Sequence, residues 1–132
     1  MERSILLLFI TVTIVSLMPG AAAQNSWSDA AAQVTVTRVS IDPTIFFEGD
    51  TGIITVEITN NGLESVAIRR ATMYDADISV LSSSYDTTTI VGAGNSMQFS
   101  FTVRADVLPG IYYPKFSLDF RDAGYLRYPV QI

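Results

Sequence analysis

Strict alternation of apolar and polar side chains over two segments is the feature that most restricts how this chain can fold. Between residues 96 and 105, apolar side chains occupy every second position, at Met97, Phe99, Phe101 and Val103. Between residues 51 and 60 the same period of two is seen at Ile54, Val56 and Ile58. A strand places every second side chain on one face of a sheet. Both segments are therefore predicted to be half-buried β-strands, each with one face in water.

Further strands are predicted from shorter apolar patterns separated by turn residues. They span residues 34–41, 66–74, 78–81, 111–120 and 125–132. Glycine, proline, asparagine and aspartate mark the turns between them, as in Asn60-Asn61-Gly62, where positive φ angles are expected. The predicted fold is all-β, an antiparallel immunoglobulin-like β-sandwich of about seven strands.

Two of these strands change phase along their length. In the first, Val34 and Val36 share one face whereas Val39 and Ile41 share the other, so the shift falls near Arg38. A similar slip falls at Arg69-Arg70. An extra residue in a strand inverts the faces after it, so each site predicts a β-bulge or, at Arg38, a strand that changes sheets.

Two prolines and one tyrosine add predictions about the last strands. Proline cannot donate a ladder hydrogen bond, so Pro129 predicts an edge strand and Pro114 a local interruption or a solvent-facing position. Tyr112 follows Asp106 and Gly110 and fits either a tyrosine corner, with its hydroxyl bonded back to a preceding loop, or an ordinary core aromatic.

The amino-terminal residues have the pattern of an export signal. Met1–Ser4 precede an apolar run over residues 5–18, and the small residues Ala21-Ala22-Ala23 follow Pro19-Gly20. Cleavage after Ala23 gives a signal peptide over 1–23, a flexible lead over 24–32 and the sandwich over 33–132. If the signal is not cleaved, residues 5–23 would attach the chain to a membrane. Both alternatives predict an exported protein, secreted or at the cell surface.

Two longer segments carry a resemblance to known extracellular domains. They are "IDPTIFFEGDTGIITVEITNNGLESV" (Ile41 to Val66) and "LPGIYYPKFSLDF" (Leu108 to Phe120). The chain resembles archaeal surface-layer-type extracellular Ig-like domains and, more distantly, the bacterial cell-adhesion-related sandwich domain (CARDB). The resemblance implies a cell-surface or secreted module with no shared catalytic motif.

Composition limits the chemistry available to the protein. The chain of 132 residues has no histidine and no cysteine, and its formal net charge is −5. Disulfides, thiolate metal sites and histidine-based catalysis are therefore excluded. An acidic surface also opposes nucleic-acid binding. We expect no enzyme activity, no catalytic residues and no cofactor.

Acidic residues offer the one metal hypothesis. Asp75 and Asp77 alternate in an extended segment and could supply hard oxygen ligands to Ca²⁺, with further ligands from Asp42, Glu48 or Asp50. The alternative is that all of them serve turns, with Glu48-Gly49-Asp50 opening the strand that follows.

Other features suggest what the surface could contact. Tyr113 and Tyr125 are predicted to face outward, where, with Trp27, they could stack on sugar rings. Residues 82–89, "SSSYDTTT", fit a polar loop, a weak edge strand or an O-glycosylated stretch.

The leading hypothesis is a non-enzymatic structural or adhesion module. It would contact other cell-envelope proteins, or copies of itself, through sheet faces or edge strands. The alternatives are a glycan- or calcium-binding module and a membrane-anchored part of a larger envelope or motility assembly.

Overall fold

The computed structural model describes residues 32–82, 84–86, 88–121 and 124–132. The predicted signal peptide and Trp27 lie outside the described residues. Within the described ranges no helix is long and apolar enough to cross a membrane.

Eight β-strands make up the described part of the chain. Their bounds are β1 Val34–Asp42, β2 Thr51–Asn60, β3 Val66–Tyr74, β4 Ser79–Val80, β5 Thr89–Val91, β6 Ser96–Arg104, β7 Lys115–Phe120 and β8 Tyr125–Pro129. All strand pairs are antiparallel. Seven strands were predicted; β5 is the additional one, and it begins at Thr89, where the polar stretch 82–89 ends.

The strands form two four-stranded sheets, in the orders β1-β2-β6-β4 and β5-β3-β7-β8. These orders match the ABED and CFG sheets of the immunoglobulin arrangement, with β5 added beside β3. One difference lies in the order of the strands along the chain. After β4 in the first sheet, the chain adds β5 to the second sheet before it returns to the first sheet at β6. The all-β sandwich predicted from the sequence is confirmed.

The alternating side chains occupy the space between the sheets as predicted. Ile54, Val56 and Ile58 of β2 are 0% exposed. Phe99 and Phe101 of β6 face Phe116 of β7 across the sandwich, with ring centroids 5.9 and 6.0 Å from the Phe116 ring. These aromatic contacts join the two sheets directly.

Both phase shifts correspond to irregularities of strand pairing. The β1–β2 register shifts between Val36 and Arg38, and the β3–β7 register shifts between Ile68 and Arg70. In each case one extra residue in the strand inverts the faces that follow it. The prediction of a bulge is confirmed at both sites, and β1 stays in one sheet.

The two prolines also lie where strand chemistry permits them. Pro129 ends β8, which is an edge strand of its sheet. Pro114 immediately precedes β7, which begins at Lys115 and not at residue 111 as predicted. The Pro114 carbonyl still accepts a hydrogen bond from the Val130 N–H at 2.8 Å. The interruption expected near Pro114 is therefore confirmed.

Residues 81, 82 and 84–86, which we call the strap, carry the chain from one sheet to the other along the free edge of β6. The Leu81 N–H donates to the Thr102 carbonyl at 2.8 Å, and the Thr102 N–H donates to the Ser82 hydroxyl at 3.1 Å. Tyr85 pairs its backbone with Ala71 of β3. Its hydroxyl donates to the Ser100 carbonyl at 2.8 Å and accepts from the Ser100 N–H at 3.2 Å. The strap thus covers an edge that would otherwise be open to another strand.

Replacing Tyr85 with phenylalanine should lower the free energy of unfolding by about 1 kcal/mol, because two backbone groups of Ser100 lose their protein partner. Urea denaturation would measure the loss. The matched control is Tyr113→Phe, which removes the hydroxyl of a tyrosine that is 51% exposed and should change stability by less than about 0.5 kcal/mol. Equal effects of the two substitutions would show that the Tyr85 hydroxyl does not stabilise the sheet edge.

Candidate functional site

The first acidic candidate, Glu48-Gly49-Asp50, is a tight turn ahead of β2. The Asp50 carboxylate accepts a hydrogen bond from the Phe47 N–H at 2.8 Å, and the Asp50 N–H donates to the Phe47 carbonyl at 3.0 Å. Gly49 has a φ of 88°, a conformation that favours glycine, and its N–H donates to the Ala105 carbonyl at 2.6 Å. The interpretation of this tripeptide as a strand-opening turn is confirmed.

The second acidic pair, Asp75 and Asp77, also serves a turn. One Asp75 carboxylate oxygen accepts hydrogen bonds from the backbone N–H groups of Asp77 and Ile78, each at 2.8 Å. This is the Asx-turn geometry that aspartate favours. Among the described residues, no group of three or more acidic, histidine or cysteine side chains converges to hold a metal ion. The structure therefore does not bring the calcium candidates together as a ligand set.

The other end of β2 differs from the turn that the sequence predicts. Asn60 is the last residue of β2 and is 0% exposed. Its side-chain amide donates to the Glu64 and Val91 carbonyls at 2.7 and 3.1 Å, and its side-chain oxygen accepts from the Gly62 N–H at 3.0 Å. Positive φ is found among the described glycines at Gly49, Gly94 and Gly124, and not at Gly62. Asn60 is thus a buried link between β2 and β5, on opposite sheets.

The outward tyrosines lie where the sequence predicts. Tyr113 is 51% exposed and Tyr125 is 60% exposed. The Arg127 guanidinium carbon lies 4.4 Å from the centroid of the Tyr125 ring, a cation–π contact. One face of the Tyr125 ring is thereby occupied, so a sugar could stack there only by displacing Arg127.

A groove at one end of the sandwich gathers exposed apolar side chains that the sequence analysis did not assign to a site. It has a volume of about 430 Å³ and is formed by the β1–β2 loop, the β6–β7 loop and the carboxy-terminal residues. Four side chains in its lining are largely exposed: Ile45 (71%), Phe47 (73%), Leu108 (75%) and Ile111 (64%). We call this region the end groove.

Local contacts fix the two loops that form the end groove. Gly52 of β2 leaves room for the β1–β2 loop, since a Cβ at this position would lie 2.5 Å from both the Asp42 carbonyl oxygen and the Phe46 ring. The Tyr112 hydroxyl donates to the Leu108 carbonyl at 2.6 Å. Tyr112 and Ile132 exchange two backbone hydrogen bonds of 3.0 Å. The tyrosine corner is therefore present, with a partner four residues earlier.

The end groove lies at an acidic end of the molecule. The strand ends and loops here carry six carboxylates, those of Asp42, Glu48, Asp50, Asp75, Asp77 and Asp106. Among the described residues, two basic side chains, Arg104 and Lys115, accompany them at the adjoining ends of β6 and β7. Arg104 is paired with Asp106 at 2.8 Å. The balance of −4 at this end accounts for most of the formal charge of −5 on the whole chain.

One carboxyl outside this end has a shifted pKa. Hydrogen bonds from the Ser84 hydroxyl and the Arg70 guanidinium lower the pKa of Asp86 from its ordinary value, because both stabilise the carboxylate form. Asp86 belongs to the strap and lies on the surface. Its shift therefore reflects an ion pair beside β3, outside the end groove.

Comparison with known proteins supports the fold and leaves the family open. No protein-family model matches the chain, and no curated protein matches it. The cupredoxin domain of amoB from Nitrosocaldus yellowstonii has a TM-score of 0.55 at 11% identity, covering 78% of this chain and 87% of that one. A FixG-related protein from Vibrio parahaemolyticus has a TM-score of 0.50 at 14% identity, covering 76% and 94%. Part of the E. coli alpha-2-macroglobulin has a TM-score of 0.55 at 20% identity, covering 77% of this chain and 6% of that one.

These likenesses concern the fold alone: the chain shares a β-sandwich architecture with the cupredoxin domain and the FixG-related protein. The likeness to a cupredoxin domain raises the question of a copper site. Blue-copper sites use two histidines and a cysteine thiolate as ligands. The sequence contains neither residue type, so its residues do not fit such a site.

Proposed function

We propose that this chain is an exported, non-enzymatic structural or adhesion module that contacts other cell-envelope proteins through the end groove. The observation that carries the proposal is the group of exposed large apolar side chains at Ile45, Phe47, Leu108 and Ile111. Apolar surface concentrated in this way on a soluble domain is typical of an interaction site.

The sequence supports the other parts of the proposal. Residues 1–23 have the pattern of an export signal, and the absence of histidine and cysteine leaves few groups for catalysis. The resemblance of Ile41–Val66 and Leu108–Phe120 to archaeal surface-layer-type and CARDB-like domains also favours a surface role. Both segments contribute residues to the end groove.

The contact surface proposed here differs from the sheet faces and edge strands suggested by the sequence. Among the edge strands, β4 has two residues and β5 has three, and β8 ends in Pro129. The longest edge strand, β1, is interrupted by its bulge near Arg38. Short, bulged or proline-bearing edges are poor templates for adding a strand. The end groove has no such obstacle.

A single introduced cysteine would test the proposal, because the chain has no cysteine of its own. The full-length variant Ile111→Cys, produced in the native host, would be treated in intact cells with a membrane-impermeant maleimide that carries a photo-crosslinker. We expect labelling from outside the cell and, after illumination, a covalent adduct with another envelope protein.

The matched control is Leu63→Cys, which places the thiol on a side chain that is 95% exposed at the opposite end of the sandwich. It should be labelled equally well and give no adduct, or a much weaker one. Labelling only after cell lysis would contradict export. The absence of an adduct at position 111, or equal adducts at both positions, would contradict the end groove as the contact surface.

A further inference from the structure

We infer that the end groove binds an apolar polypeptide segment flanked by lysine or arginine and contributed by another envelope protein. The inference rests on the proposed function and specifies the chemistry of the partner. Two properties of the end groove carry it, its apolar lining and its acidic surroundings.

The lining selects an apolar occupant. Phe47, Leu108 and Ile111 are each more than 60% exposed, so covering them would remove a large apolar area from water. The volume of about 430 Å³ lies within the range of pockets that bury ligands. Contacts of Tyr112 with Leu108 and Ile132 fix the walls, which lowers the entropy lost on binding.

The charges around the lining select a cationic occupant. Glu48 contributes directly to the wall, and Asp42 and Asp50 bound the same loop. Of the two cations at this end, Arg104 is already paired with Asp106. Charges within about one Debye length, roughly 8 Å at physiological salt, act together on a bound group. The combined field attracts lysine or arginine side chains and repels anions.

The negative electrostatic field of these carboxylates disfavours other molecules that could occupy an apolar groove. Fatty acids and anionic lipid head groups would bring negative charge towards Glu48. A second copy docking groove to groove would face six carboxylates with six of its own. Two arginines of the second sheet that a second copy could offer to the groove already have partners, since Arg70 pairs with Asp86 and Arg127 packs over Tyr125. A cation-flanked segment of a different protein satisfies both requirements of the groove.

Two labelled synthetic peptides would test the inference against the purified full-length protein. They share one apolar core of leucine and phenylalanine, which is flanked by lysines in one peptide and by glutamates in the other. Fluorescence anisotropy should show the lysine-flanked peptide binding about tenfold or more tightly, with the difference shrinking as NaCl is raised.

Matched variants locate the effect in the end groove. Glu48→Gln should weaken binding of the lysine-flanked peptide roughly two- to fivefold, whereas Glu64→Gln, an equal charge change on the β2–β3 loop at the opposite end, should leave it unchanged. Phe47→Ser should weaken binding about tenfold or more, and Leu63→Ser should not. Thermal melting would confirm that each variant is folded.

Three results would overturn the inference. They are equal affinity for the two peptides, equal losses from Glu48→Gln and Glu64→Gln, and self-association of the protein that is abolished by Phe47→Ser. If Ile111→Cys still forms its adduct in cells in any of these cases, the proposed function stands and only the partner chemistry is wrong. If the charge preference is found and no adduct forms, the groove binds cationic segments but the proposed envelope contact is wrong.

Discussion

Replacing Asn60 with aspartate is expected to lower the free energy of unfolding at pH 7 by about 3 kcal/mol or more. The substitution keeps the shape of the side chain and removes its two N–H donors. The Glu64 and Val91 carbonyls would then face a carboxylate oxygen at a position that is 0% exposed. For a domain of this size the melting temperature should fall by roughly 10–20 °C, which differential scanning calorimetry would measure.

The loss caused by Asn60→Asp should depend on pH. Burial beside two carbonyl oxygens should raise the pKa of the introduced carboxyl above the ordinary value of about 4. The folded variant then binds a proton more tightly than the unfolded chain, so the loss of stability relative to the unsubstituted protein is smallest below pH 4. That loss grows as the pH rises through the raised pKa.

A neighbouring asparagine provides the control. Asn61 is exposed, and its side-chain amide donates to the Thr35 hydroxyl at 2.8 Å. Asn61→Asp makes the same chemical change in water and should cost less than about 1 kcal/mol. Similar losses from the two variants, or an Asn60→Asp penalty that does not change with pH, would show that the link between the sheets is not a major source of stability.

Asn60 is an example of a structural role that could not be predicted from the sequence, whereas the strands around it could. The strands β2 and β6 could be predicted because each has one buried and one solvent-exposed face. Burial alone then gives the sequence a two-residue period of apolar side chains. The bulges could be predicted for the same reason, because an extra residue near Arg38 or Arg69 moves the apolar side chains that follow it to the opposite face of the strand pattern. Asn60-Asn61-Gly62 has the composition of a turn, and composition does not show that the first asparagine is buried and bonded to a strand of the other sheet.

The strap and the end groove could not be predicted because neither has a local pattern. Tyr85 stands in a hydroxyl-rich stretch, and its role depends on Ala71 and Ser100, which are distant in sequence. Phe47 and Leu108 line the same groove only because strand pairing brings the β1–β2 and β6–β7 loops to one end of the sandwich. The acidic residues could be picked out from the sequence as metal candidates. The structure shows instead that the Asp50 and Asp75 carboxylates accept backbone hydrogen bonds within turns.

Truncating Phe116 to alanine should lower the free energy of unfolding by about 3–5 kcal/mol. Phe116 is 0% exposed, and its ring packs against Phe99 and Phe101 of the facing sheet. Removing the ring leaves a cavity between the sheets and takes away aromatic contacts that join them. Guanidinium denaturation of the full-length variant would measure the loss.

The same substitution at Phe47 should have a different effect, because this ring is 73% exposed in the end groove. Phe47→Ala should cost less than about 1 kcal/mol of stability and should weaken the groove adduct and binding of the lysine-flanked peptide. Phe116→Ala should keep that binding wherever the variant remains folded, since Phe116 does not line the end groove. Equal stability losses at the two positions would contradict the assignment of Phe116 to the core and Phe47 to a contact surface. Opposite patterns of stability and binding would separate the residues that hold the sandwich together from those that bind its partner.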